Sequence, residues 1–173
     1  MNHGDYLVDL LNKSGEVIGA KPRRDIDKEQ DLYHVVFIFI VTRRDEIVLG
    51  VIPERHDLPN VYARQMGATV ATIRRQGETA SEAATRALLA EVAMSATPQL
   101  VGEKMATFAD DRRSYISVYV VQGELPEKYS EQDIAALYIM PREMLNALVD
   151  EQSPEIAPTL QYMWQTFGAM IVV

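Results

Sequence analysis

The amino-acid sequence predicts an α/β fold, a mixed β-sheet with helices packed on both of its faces. Three observations lead there. Leu32 to Thr42, L-Y-H-V-V-F-I-F-I-V-T, is a nearly continuous run of β-branched and aromatic residues, the pattern of a strand buried on both faces at the centre of a sheet. Gln76 to Met94 carries one helix with its own start signal. Along the chain the order is strands, helix, strands, helices, which suits one layer of sheet between helices. The 173 residues fit a single domain spanning 1–173, able to bury about 70% of its unfolded surface without staples.

The elements follow in order. Tyr6 to Leu11 is a short apolar run that turns through N-K-S-G-E into Val17 and Ile18, which predicts a β-hairpin. Arg23 to Gln30 reads as a charged connector. After the central strand, whose His34 reads as a satisfied sheet histidine, R-R-D-E turns into an antiparallel partner over Glu46 to Ile52. Pro53 to Pro59 is a polar loop, and Val61 to Thr72 is a weaker strand region containing Gly67. The helix starts near Ala80, because Thr79 and Glu82 have the T-x-x-E spacing of a capping box, in which each side chain satisfies a backbone N–H. Its Ala84, Leu88 and Val92 form a core-facing row. Ala83, Ala87, Ala90 and Met94 form a second, small-residue stripe with Glu91 at its edge and Arg86 beside it, expected to be distinct from the core.

Gln99 to Phe108 and Ser114 to Val121 read as strands joined by A-D-D-R-R. Gly123 to Tyr129 is a loop, Ile134 to Met140 a strand, and Pro141 begins a helix to about Val149, since proline is tolerated in a first turn. A last helix is expected from Pro154 or Ile156 to Phe167, followed by an apolar A-M-I-V-V that needs a covering surface, either this chain's own core or an oligomer interface.

Composition narrows the function. With no cysteine, disulfides, thiolate metal sites and a cysteine nucleophile are excluded, which fits a reducing compartment. The opening M-N-H-G-D-Y has neither a basic nor an apolar leader segment, and no apolar run approaches the roughly 18 residues of a membrane span, so the expectation is a cytoplasmic protein with no membrane partner. A net charge of −8 repels phosphate backbones and argues against a nucleic acid polymer. Any small anionic ligand would need a local basic pocket.

The spacing of Glu78, Arg86, Leu88, Glu91 and Met94 resembles the box of the Nudix hydrolase family. That box is a glycine, five residues, a glutamate, seven residues, then R-E-U-x-E-E-x-G-U with U bulky and apolar. Here Glu78 is followed by seven residues and then R-A-L-L-A-E-V-A-M. Pro59 to Val70, P-N-V-Y-A-R-Q-M-G-A-T-V, is similar to the family's P-G-x-W-x-x-x-x-G-G-H-V approach. V-D-L-L-N-K-S-G-E-V-I-G-A near the start and I-A-A-L-Y-I-M-P-R-E-M-L near the end resemble the subgroup that looks like isopentenyl-diphosphate isomerase. The resemblance implies a Nudix-type α/β/α sandwich, a magnesium or manganese cofactor, and hydrolysis of a diphosphate bond. The box is degenerate, however. Ala87 and Ala90 stand where the family has glutamates, Glu91 is the one retained, Ala93 replaces the glycine, and about four extra residues within A-T-I-R-R-Q lie between Val70 and Gly77.

Alanine offers no oxygen to a metal and no general base, so the family mechanism loses the groups that fix metal and orient water. Two readings follow. In one, the chain binds a phosphorylated or nucleoside-diphosphate-linked metabolite, or a protein partner, with little or no efficient hydrolysis and no metal. In the other, it is a slow or altered diphosphate hydrolase in which Glu78, Glu91 and one later acid among Asp110, Asp111, Glu124, Glu131 and Asp133 hold a single ion. Isomerase chemistry of the resembling subgroup uses a cysteine, which this chain lacks. The residual box, Glu78, Arg86 and Glu91, is the expected catalytic set, with Glu91 the metal ligand and Arg86 expected to pair with Glu78 or Glu91. Arg64, Arg74 and Arg75 are candidate phosphate ligands, because a guanidinium fork binds phosphate oxygens bidentately without metal, and Tyr62 is a candidate stacking platform.

Overall fold

A computed structural model describes residues 6–54 and 61–173. Most of the Pro53 to Pro59 loop, and the first two residues of the Pro59 to Val70 motif, lie outside the described residues. The predicted hairpin is present as a separate two-stranded sheet, β1 (Leu7–Leu11) and β2 (Val17–Pro22). The main sheet has seven strands, β3 (His34–Val41), β4 (Glu46–Val51), β5 (Met66–Gly67), β6 (Val70–Ile73), β7 (Gln99–Thr107), β8 (Arg113–Gln122) and β9 (Ala136–Pro141). Its helices are α1 (Ala80–Val92), α2 (Arg142–Asp150) and α3 (Pro158–Phe167).

β3 is the central strand that its apolar run predicts. One edge pairs with β8 in parallel along its whole length, and the other pairs antiparallel with β6 along its first half and with β4 at its end. β7 extends the sheet beyond β8, and β9 extends it beyond β4. Because side chains alternate along a strand, β3 supplies both cores. Phe37, Phe39 and Val41 pack with Leu145, Leu160, Met163 and Trp164 of α2 and α3, whereas Val36, Ile38 and Ile40 pack with α1. The sheet is therefore mixed and covered on both faces.

α1 has the predicted capping box. Glu82 N–H donates to Thr79 Oγ1 at 3.1 Å and Thr79 N–H donates to Glu82 Oε2 at 2.8 Å. It ends at Ala93 in the left-handed conformation (φ 52°), the position where the family pattern has glycine. The small-residue stripe is not a face apart from the core. Ala83 and Ala87 are as fully buried as Ala84 and Leu88, since side chains this small let the whole inner half of the helix approach the sheet. Only Ala90 of the three stripe alanines is exposed.

The last helix starts later than Pro154 or Ile156. Glu155 C=O accepts from Met66 N–H at 2.8 Å and Ala157 N–H donates to Met66 C=O at 2.8 Å, which holds this stretch extended beside β5. Pro158 then opens the helix in its first turn, where its missing N–H is not needed. The closing apolar residues divide: Ile171 is buried in the α2–α3 core, and Val172 and Val173 are exposed. No helix among the described residues is long and apolar enough to cross a membrane.

Candidate functional site

α1 packs at the sheet edge formed by β6, and this brings Arg86, Ala90 and Glu91 around that edge to a cavity of about 370 Å³. The floor is β3, through Val35 and Phe37, together with Tyr33 just before it, with Ala71 and Ile73 of β6 beside it. The β3–β6 register sets Val35 against Ile73 and Phe37 against Ala71. A smaller adjoining cavity shares Phe37, Ile52, Ala71, Glu91, Asp133 and Thr159 with the first.

In a chain of net charge −8 this cavity is lined by six cationic side chains, Arg23, Lys28, Arg75, Arg86, Arg112 and Arg113, against two acidic ones, Glu91 and Asp133. Two of the cations are neutralised locally. Arg86 grips Glu78 with two bonds, Nε to Oε1 at 2.6 Å and Nη2 to Oε2 at 2.9 Å, and also donates to Thr72 Oγ1 and the Ile73 carbonyl. Arg112 Nε donates to Asp110 Oδ2 at 2.6 Å. Among the described residues, Arg23, Arg75 and Arg113 form no ion pair with a carboxylate. Arg75 lies 4.6 Å over the Tyr6 ring, and its Nε is buried without a hydrogen-bond partner.

The predicted residues separate into those the fold gathers and those it does not. Arg75, Arg86, Glu91 and Tyr62 line the cavity. Arg64 and Arg74 do not. Arg64 is exposed and paired with Glu54 at 2.6 Å, while Arg74 is turned towards Asp9 at 3.6 Å, because adjacent residues of an extended chain point to opposite sides. Arg86 takes Glu78 as its partner, so Glu78 is committed to holding the helix-start turn against α1. Burial opposes ionisation of Glu78, but the Arg86 guanidinium and the Arg75 N–H, 2.9 Å from Oε2, more than offset it and leave its pKa below the usual carboxylate value. The Tyr62 hydroxyl donates to Asp110 and the Arg112 guanidinium lies 4.5 Å over its ring, so one ring face is covered by an arginine.

Glu91 differs from every other acid at the site. It is 9% exposed, and its carboxyl makes no hydrogen bond or ion pair within the described residues. Burial, with a further push from the Asp133 carboxylate, raises its pKa to about 8, and Arg86 pulls weakly the other way. Asp133 is the later acid that the fold brings to the site. Its loop is fixed by Ser130 N–H on the Glu91 carbonyl at 2.7 Å and by Ser130 Oγ on Asp133 Oδ2 at 2.6 Å. Among the described residues, no three carboxylate or imidazole groups are grouped so as to hold a metal ion. Magnesium and manganese favour several oxygen ligands, and with Ala90 at the cavity wall and Ala87 in the core the donor set does not fit the family's metal cluster. His34 belongs elsewhere. It is buried, its Nε2 lies 2.6 Å from Ser117 Oγ, and burial together with Arg74 lowers its pKa to about 4.

Sequence reasoning missed Tyr6, Arg23 and Lys28, which flank the N-terminal hairpin and reach the cavity only once that hairpin is docked. The sole local signal was the charged character of the connector.

Comparison with solved structures shows what this architecture is. DR0079 from Deinococcus radiodurans superposes with a TM-score of 0.79 at 18% identity, covering 93% of this chain and 98% of that one. The MutT protein from Methanosarcina mazei Go1 gives 0.64 at 13% identity over 84% and 97% of the two chains. A NUDIX hydrolase from Nitrosomonas europaea gives 0.59 at 17% identity over 80% and 90%. The fold is that of the Nudix hydrolases. No family model matches the sequence, and no curated protein matches it significantly. At these identities the likeness to the Nudix structures is one of fold. The position of Glu91 on α1, facing the cavity, corresponds to the box position that the sequence retains.

Proposed function

We propose that this Nudix-fold chain binds a phosphorylated small metabolite, of the nucleoside-diphosphate-linked class, in the β3–β6 cavity with little or no metal-dependent hydrolysis. The observation that carries the reading is the charge of the cavity: among the described residues, Arg23, Arg75 and Arg113 line it without forming an ion pair with a carboxylate, in a protein that is acidic overall. Arginine at these positions supplies the countercharge and the forked donors that metal ions supply to phosphates in a carboxylate-rich site.

The test is calorimetric titration of inorganic pyrophosphate and ADP in the presence of EDTA. Binding in EDTA is expected, weakened about tenfold or more by Arg75→Ala or Arg113→Ala, the effect of one charge-assisted hydrogen bond. The hydrolase reading retains one supporting observation, the proximity of Asp133 to Glu91 in the same cavity. Manganese-dependent cleavage of a diphosphate that disappears in Glu91→Gln would establish it and overturn the non-hydrolytic reading.

A further inference from the structure

The cavity is chemically bipolar, and its two ends can be placed along β3. Tyr33 marks one end. Arg75 lies two residues beyond Ile73, which pairs with Val35, and Arg113 lies two residues before Tyr115, which pairs with His34, so both arginines flank the Tyr33 level. Phe37 marks the other end, because it shares the smaller adjoining cavity with Ala71, Glu91, Asp133 and Thr159. Four strand residues separate Tyr33 from Phe37, about 13 Å at the usual rise.

The acidic end carries a specific deficit. Glu91 is nine-tenths buried, lines both cavities and, among the described residues, its carboxyl accepts no hydrogen bond, although a buried polar side chain is normally paired. The Asp133 carboxylate repels its charge more strongly than Arg86, which is committed to Glu78, attracts it. What the pair lacks is a donor bearing positive charge. Among the described residues no group of three or more acidic or imidazole side chains is gathered here for a metal ion, whereas an ammonium group is satisfied by two or three acceptors in no fixed polyhedron.

Resting on the phosphate-binding reading above, we propose that the ligand is zwitterionic: a phosphate or diphosphate held by Arg23, Arg75 and Arg113, joined to an amine that lies between Glu91 and Asp133. Its charged groups lie towards the Tyr33 and Phe37 levels of the cavity floor. Both halves of the cavity are then neutralised by one molecule, and an uncharged hydroxyl in place of the amine would leave the carboxylate pair uncompensated.

The experiment uses a homologous series of ω-aminoalkyl phosphates of increasing chain length, compared with ω-hydroxyalkyl and plain alkyl phosphates of equal length, by calorimetry at pH 7 in EDTA. The amino series is expected to bind about tenfold or more tightly than the hydroxyl series at the matched length. That preference should vanish in Glu91→Gln and shrink in Asp133→Asn, while plain alkyl phosphates keep their affinity in both variants. Circular dichroism establishes that each variant is folded, and either one suffices if the other is not. Equal binding of amino and hydroxyl compounds at every length overturns the proposal and leaves the phosphate reading standing. An amine preference undiminished in a folded variant also overturns it, as does displacement of the amine by manganese once EDTA is omitted. If none of the phosphates binds, the phosphate reading fails and this proposal falls with it.

Discussion

Replacing Glu91 with glutamine removes one proton-binding group while keeping the shape of the side chain, and its effect on stability can be worked from the site. The Glu91 carboxyl titrates at about 8 in the folded protein against an ordinary 4.5. The folded state therefore holds this proton more tightly than the unfolded chain does. The associated stability is fully present below about pH 4.5 and is lost as the pH rises through about 8. At 1.36 kcal/mol per pH unit, the displacement from 4.5 to about 8 sets a ceiling of about 5 kcal/mol. Water entering the cavity screens part of it, which leaves roughly 2–4 kcal/mol between pH 5 and pH 8. Two charged neighbours face the group from other parts of the site, Asp133 strengthening the displacement and Arg86 weakening it. Glu78, Asp31 and Asp45 have lowered pKa values and so act at the acidic end, adding stability as the pH rises through their range, and they cancel between the two proteins. Urea denaturation at unit pH intervals from 5 to 9 reads the result. The parent should lose stability relative to Glu91→Gln by roughly 2–4 kcal/mol across the window, the variant being the more stable protein at pH 8 and above. Parallel profiles for the two proteins would show that Glu91 is solvated or paired, and the reasoning about the acidic end would be wrong.

Two further substitutions test the geometry. Ala87→Glu forces a carboxylate into the α1 core, where Ala87 is wholly buried, and should lower stability by about 3 kcal/mol or more in urea, whereas Ala90→Glu, at the cavity wall, should stay within about 1 kcal/mol of the parent and bring a third acid to Glu91 and Asp133. Manganese binding gained by Ala90→Glu alone, followed by calorimetry, is the expected outcome, and an Ala87→Glu protein as stable as the parent would refute the placement of α1. Gly50→Ala sets a Cβ 2.8 Å from the Thr69 carbonyl oxygen and 3.0 Å from that of Ala68, both main-chain atoms that cannot turn aside, and should cost about 2 kcal/mol or more in chemical denaturation. A loss under about 0.5 kcal/mol would mean that β4 and the β5–β6 turn are less closely packed than described.

Much of the architecture was legible because it is written in short-range pattern. The apolar run of Leu32 to Thr42 has no polar face to expose, so it had to lie inside a sheet, and β3 does. Thr79 and Glu82 satisfy one another's backbone groups whatever surrounds them, and the capping box formed as spaced. The candidate site was only half legible. Glu78, Arg86 and Glu91 stood out through their spacing, yet spacing alone left Arg86 with two possible partners and Asp133 as one of five acids. It also gave Ala83 and Ala87 a face of their own, where the close packing allowed by small side chains buried them with the core.

By itself, the sequence determined a mixed sheet between helices, the helix from Thr79 onward, and the absence of carboxylates at Ala87 and Ala90, since these depend on residue type and local periodicity. Tertiary structure alone decided which charges meet. Arg74 and Arg75 are neighbours in the chain, but alternation along an extended backbone sends one to Asp9 and the other into the cavity. Arg23 and Lys28 reach the same space through the docked hairpin, and Asp133 reaches Glu91 through a loop more than forty residues further along the chain, 133 against 91. Electrostatic interactions depend on distance in space, which local sequence does not encode, so a basic cavity with one isolated acidic end became visible only in the folded chain.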